Sequence, residues 1–303
     1  MTWFDPTFPF QDNQKPSSCH KPLEIYSVID PFCADCWSLE PVLKKLQTEY
    51  GQYFTLRHFI SGTLNTYNGL SASSKKSSRQ AEKMAERWER AASLSGMSCD
   101  GDLWFENPIS APYRASLAIK AAELQGKAAG FRYLRKMREM LFLNKQNIGE
   151  DSVLQEIAAS VGLDTQEFTR DLNSEAAVKA LQCDLKFSSE MSVTQMPTLI
   201  IFNDRADEEG IKVSGCYSYE VYVEVFKEML GKKPEVSPLP SLKEFLKVHQ
   251  FVATKEVSLV YNWTLEEAER QLKMLLLQQV VERIPVKHGT FWRYSKHIEP
   301  PVI

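Results

Sequence analysis

The sequence predicts an α/β fold interrupted by a long helical insertion and followed by a smaller C-terminal domain. Three observations carry that prediction. A short apolar strand runs directly into Cys33-Ala34-Asp35-Cys36 and a helix. Strand signals return only at Pro197, after about 120 almost wholly helical residues. A proline-rich break at 231–241 then precedes three helices and a hairpin.

The opening elements follow from apolar period. LEIYSVI, 23–29, is apolar and bounded by Pro22 and Pro31, which suits a buried strand. From Cys33 to Tyr50 the period becomes helical, with Leu39, Val42, Leu43, Leu46 and Tyr50 on one face and Gly51 as the stop. YFTLRHFI, 53–60, is a second strand. Helices are expected over 74–95, 111–125, 128–145, 151–161, 164–173 and 174–190, with Asp151 and Asp164 as N-caps. PTLIIF, 197–202, and IKVSG, 211–215, make a hairpin. The helix after it, 218–230, is expected to bury Val221, Val225 and Phe226, flanked by Tyr222 and Met229.

Beyond the break, 242–250, 254–261 and 264–279 read as helices, and 280–286 with 290–294 as a hairpin. That outline is winged-helix-like, with Trp292 and Tyr294 as exposed wing aromatics. The expected organisation is a tail at 1–21, a main domain at 22–230 with its insertion at about 64–191, a linker at 231–241 and a C-terminal domain at 242–303.

Composition narrows the function. An apolar fraction of 43% and a charged fraction of 25% describe a globular chain, and no run approaches the ~18 apolar residues of a membrane span. A formal charge of −3 gives no general attraction to nucleic acid or an anionic membrane. A recognition helix at 264–279 would present Glu266, Glu267 and Glu269 to phosphates, so no nucleic-acid partner is expected. The opening MTWFDPTFPFQDNQKPSS lacks the features of a secretory signal, which places the expected site of action in the cytoplasm, among reduced thiols. Of six cysteines only Cys33 and Cys36 form a close pair, and the other four are expected free and mostly buried.

A Cys-x-x-Cys between a strand and a helix has specific chemistry. Unpaired N–H groups and the dipole of the first turn favour a thiolate at Cys33, the nucleophile. Cys36, one turn on, resolves a mixed disulfide. A zinc site from Cys19, His20, Cys33 and Cys36 is the weaker alternative, because Cys19-His20 lacks loop spacing. No metal or other cofactor is expected.

An X-Pro bond taken alone is cis only about 5% of the time. The run SVTQMPTLIIF, however, resembles the strand of DsbA-like proteins that opens on a cis-proline. With the Cys-x-x-Cys and the helical insertion, it indicates a thioredoxin fold of DsbA type. That resemblance implies a cis Met196-Pro197 bond facing Cys33 and Cys36, and a surface made by Trp37, Met196 and Pro197 that binds an extended partner.

The fine chemistry points away from an efficient enzyme. Working members of that fold carry a buried acid six residues before the nucleophile, where this chain has Ser27. Asp35 inside the motif opposes thiolate formation at Cys33. A DsbA-like domain, an atypical Cys-x-x-Cys in FCADCW and an appended C-terminal module together resemble the YjbH/SpxH adaptor family. The resemblance implies a non-enzymatic adaptor that binds the thioredoxin-like regulator Spx and promotes its degradation by the ClpXP protease. The competing reading is a cytoplasmic thiol-disulfide oxidoreductase using Cys33 and Cys36.

Overall fold

A computed structural model of the chain describes residues 20–61, 75–109, 111–205 and 207–295. Strand β1 (Leu23–Ile29) runs parallel to β2 (Phe54–Ile60), and between them lie helix α1 (Ala34–Ser38) and helix α2 (Glu40–Tyr50). The two helices are one amphipathic run broken at Leu39, because Pro41 cannot continue the hydrogen-bond ladder. Among the described residues the helices that follow are α3 (Lys75–Ser95), α4 (Leu103–Glu106), α5 (Pro112–Leu124), α6 (Lys127–Asn144), α7 (Asp151–Ser160), α8 (Thr165–Asp171) and α9 (Glu175–Glu190). The chain then returns through β3 (Thr198–Asn203), β4 (Ile211–Ser214) and α10 (Tyr219–Leu230). The sheet order is β2-β1-β3-β4, with β3 antiparallel to both neighbours.

Alternation along the strands divides the core. Leu23, Ile25, Leu199 and Ile201 meet Leu46, Tyr50 and Phe226 from α2 and α10. Tyr26 and Phe59 pack on Phe187 of α9, and Phe202 packs on Tyr26. The helical insertion builds the largest core, in which Trp88, Trp104, Phe142 and Phe168 are almost wholly buried.

Caps and faces correct several expectations. Asp164 does cap α8, accepting from Gln166 and Glu167 N–H. Asp151 does not cap α7. It sits one residue inside, and its carboxylate pairs with Arg114 at 2.7 Å. On α10 the buried residues are Tyr222, Phe226 and Met229, spaced i, i+4, i+7, while Val221 is exposed. The aromatic bodies displaced the smaller valines from the inward face.

The C-terminal unit comprises α11 (Leu242–His249), β5 (Phe251–Ala253), α12 (Thr254–Tyr261), α13 (Leu265–Leu277), β6 (Val281–Pro285) and β7 (Thr290–Tyr294). Strand β5 was not foreseen. Its three residues pair with β7, giving the order β5-β7-β6. Trp292 is not an exposed wing aromatic. It is wholly buried, and its indole N–H donates to Thr254 Oγ1 at 2.9 Å. Alternation on β7 turns Trp292 into the unit's own core and Phe291 into the core of the insertion. On α13, Ala268 and Leu272 are buried while Leu265 is exposed.

The break at 231–241 is irregular but held in place. Ser237 N–H donates to Glu49 O at 2.8 Å, and Glu235 N–H to Tyr53 Oη at 3.1 Å. Almost all of the expected tail, 1–21, lies outside the described residues, Cys19 included.

Candidate functional site

The dithiol stands where β1 ends. Cys33 caps α1, its sulfur accepting from Cys36 N–H at 3.4 Å. Asp30 shapes the approach, accepting from Phe32 N–H at 2.9 Å and from Cys33 N–H through its carbonyl at 3.1 Å. Met196-Pro197 is cis, and the Cys33 thiol points at Met196 O, 3.8 Å away. Two segments about 160 positions apart therefore meet at this point. Gly215 N–H holds the loop from behind, donating to Pro197 O at 2.7 Å.

Cys33 is 7% exposed and Cys36 only 2%. Burial pushes the Cys36 thiol well up, followed by the contact with Cys33; the Arg138 guanidinium opposes this only in part. Ser27, at the place of the absent acid, is wholly buried, and its hydroxyl has no partner among the described residues. His58 faces Ser27 in the register of β1 and β2. Burial, then the Arg138 and Lys120 cations, push its imidazole down to about 3, so it is neutral at physiological pH. Arg138 gives one N–H to Glu40 at 2.6 Å, while its buried Nε and Nη2 atoms have no hydrogen-bond partner among the described residues.

A cleft of about 220 Å³ opens beside Cys33, lined by Asp30, Phe32, Met84, Arg87, Trp88 and Met196, among others. Met84, Arg87 and Trp88 were not identified in the sequence. Their i, i+3, i+4 spacing marks a face of α3, but nothing local says which site that face meets. Arg87 bears on the expected effect of Asp35. Its guanidinium lies 2.8 Å from the Asp35 carboxylate and offsets the repulsion predicted at Cys33. Cys216 was also missed: its thiol donates to Asp35 O at 3.2 Å.

Trp37 requires a correction. It is wholly buried, so no partner touches it in this arrangement. Its indole N–H donates to Ser98 O at 3.0 Å, and its ring stacks on Phe142 and Phe291. Helix α1 turns it inward, into the core of the insertion. Met196 is half-buried at the cleft, and Pro197 is buried behind it. The remaining cysteines also depart from expectation: Cys99 is buried, but Cys183 and Cys216 are exposed.

The four-ligand zinc alternative does not assemble around His20. That residue precedes β1 and lies 3.8 Å from Asp204, whereas Cys33 and Cys36 follow the strand's other end. Seven strand residues separate the two ends by about 23 Å. Elsewhere, Glu89, Asp100 and Asp102 bring carboxylates within reach of one ion. Lys287 already occupies that position, its ammonium 2.9, 3.1 and 2.8 Å from the three.

This fold and dithiol define a DsbA-like member of the thioredoxin superfamily. A family profile described as thioredoxin matches residues 26–224. The chain is 51% identical over 283 residues to the ClpXP adapter protein SpxH of Halalkalibacterium halodurans, covering 93% of this chain and 92% of that one. The chain belongs to the SpxH family. Among solved structures, a protein disulfide isomerase candidate from Nitrosomonas europaea matches with a TM-score of 0.60 at 16% identity, covering 69% of this chain and 98% of that one. A DsbA oxidoreductase candidate from Streptomyces coelicolor matches with a TM-score of 0.52 at 16% identity, covering 72% and 94%. These two likenesses concern the fold alone.

Proposed function

We propose that the chain is an adaptor that binds the regulator Spx and promotes its degradation by ClpXP. The observation that carries this reading is the sealed resolving thiol. Cys36 is 2% exposed and pushed up by burial, and the nearby acid position is a partnerless Ser27 hydroxyl. A dithiol without a proton acceptor exchanges slowly, but a cleft beside a cis-proline can still hold an extended backbone. In this reading Met196 and the cleft around Cys33 receive the partner, and Trp37 supports them from within.

The reading places the protein in the cytoplasm; no described helix is long and apolar enough to cross a membrane. Residues 22–230 act as the DsbA-like domain, 231–241 as the linker and 242–303 as a winged-helix-like module used for packing. The test is reconstituted degradation of Spx by ClpXP. The Cys33→Ala plus Cys36→Ala variant is expected to support degradation at close to the wild-type rate. Loss of delivery by that variant, with its circular dichroism unchanged, would sink the adaptor reading.

The second reading, a thiol-disulfide oxidoreductase, is favoured by the Arg87–Asp35 pair, which offsets the acidic residue inside the motif. It requires catalytic reduction of insulin disulfides by the wild-type chain. Absence of that turnover ends it.

A further inference from the structure

Helix α1 has five residues, far fewer than the ~12–15 that even a good isolated helix needs. Its geometry, and with it the placement of Cys36 against Cys33, is therefore imposed by what packs on it. The residue that anchors it is Trp37, adjacent to Cys36. Three contacts of Trp37 lead to the C-terminal unit in at most one further step.

First, the Trp37 ring lies parallel to Phe291 of β7, with an interplanar angle of 5° and a centroid separation of 6.1 Å. Second, the Arg135 guanidinium sits 4.5 Å above the indole. Arg135 is in turn held by Glu256 of α12 at 2.9 and 3.1 Å and donates to Phe251 O at 3.3 Å. Third, Ser98 takes the indole N–H through its carbonyl and the His288 N–H through its hydroxyl at 3.2 Å. Ring, cation and hydrogen bond converge on one side chain: the ring comes from β7 directly, while the cation on α6 and the Ser98 acceptor are held by α12 and the β6–β7 turn.

We propose that the C-terminal unit clamps Trp37, and that Phe291 and Ser98 are positioning residues that set how readily Cys33 and Cys36 form a disulfide. The inference does not rest on the adaptor reading, because it concerns the intrinsic equilibrium of the thiols. Closing the bond needs both sulfurs held one helical turn apart. Loosening α1 lowers their effective concentration for each other.

The measurement is equilibration of the full chain with glutathione. In the reaction, the Cys33 and Cys36 thiols and one oxidised glutathione give the Cys33–Cys36 disulfide and two reduced glutathiones. A background carrying Cys19→Ser, Cys99→Ala, Cys183→Ala and Cys216→Ser confines the readout to this pair. Phe291→Leu is expected to lower the equilibrium constant three- to tenfold, a tenfold change being about 30 mV. Ser98→Ala is expected to lower it about threefold. Phe245→Leu, in the unit's own core and away from Trp37, is expected to lower thermal stability while leaving the constant within twofold of the parent. A purely structural role would move the melting temperature in all three variants and the constant in none. Constants unchanged from the parent in both Phe291→Leu and Ser98→Ala overturn the proposal, as does a shift in Phe245→Leu as large as that in Phe291→Leu. Should Phe291→Leu fail to fold, Ser98→Ala against Phe245→Leu decides it.

Discussion

Glu256 of the C-terminal unit and Arg135 of the helical insertion form a two-pronged ion pair, 2.9 and 3.1 Å, with the carboxylate wholly removed from solvent. Lys44 of α2 adds a third contact at 3.2 Å, so one side chain joins three parts of the molecule. Burial alone would raise the Glu256 carboxyl, but Arg135 and then Lys44 outweigh it and hold it at about 2 against an ordinary 4.5. Lys44, by contrast, is pushed down by burial despite Glu256, so Arg135 carries most of the attraction.

Glu256→Gln should therefore destabilise the fold by about 3 kcal/mol, because it takes the carboxylate from buried Lys44 and leaves Arg135 only Glu139 and Glu40. Chemical denaturation at pH 7 checks this. The pH dependence has a definite sign. The folded value lies below the unfolded one, so the contribution is present above about pH 4.5 and is lost as pH falls towards 2. Roughly 3 kcal/mol of the wild-type advantage over Glu256→Gln should disappear across that window. A difference that stays constant from pH 6 to pH 2.5 would contradict the pairing.

Ser27→Asp tests the blunted dithiol. It restores a carboxylate at the place where the buried acid is absent, opposite His58 in the register of β1 and β2. A positioned proton acceptor contributes 10²–10⁴-fold in favourable cases. Insulin reduction should rise by about tenfold or more over wild type. Unchanged turnover in a folded variant would mean that the missing acid is not what limits the site.

Thiol labelling should separate the cysteines by environment. Burial, then contact with Cys33, pushes Cys36 well up, and burial does the same to Cys99. Cys183 is exposed. Alkylation of the native chain at pH 8, followed by peptide mass spectrometry, should modify Cys183 first. Cys36 and Cys99 should react on the order of 100-fold more slowly or only on unfolding. Comparable rates at Cys36 and Cys183 would show an open site.

Lys287→Met should weaken the seat of the β6–β7 turn. Its ammonium neutralises Glu89, Asp100 and Asp102, and removing it leaves three carboxylates facing each other. Lys287 and Glu89 are about one-third exposed, so the cost should be modest, about 1–2 kcal/mol, and should shrink in high salt. Burial opposes the charge on Lys287, but Asp102, Glu89 and Asp100 raise it above the ordinary lysine range. The contribution is therefore intact at neutral pH and fades only above about pH 10.5. Thermal melts at low and high salt read both effects.

Much of this architecture was legible because it depends on local rules. Strand β1, the kink before Pro41 and the helices of the insertion follow from apolar period and punctuation. The short strand β5 was not legible. Three residues between two helices carry no period, and only pairing with β7 makes them a strand. The inward face of α10 was misjudged because valine and tyrosine both suit a core. The space opposite Phe226, Tyr222 and Met229 decided between them.

The sequence by itself determined the elements, the dithiol at a helix start, the SVTQMPTLIIF segment and the presence of a second unit beyond the prolines. Those rest on interactions within a few residues. Tertiary structure alone decided that Trp37 points inward, that Arg87 offsets Asp35, and that Glu256 and Phe291 fasten the C-terminal unit behind the Cys33–Cys36 helix. Each depends on groups more than 50 positions apart. Their meeting is governed by how whole faces pack and by the high cost of leaving a buried charge without its counterpart.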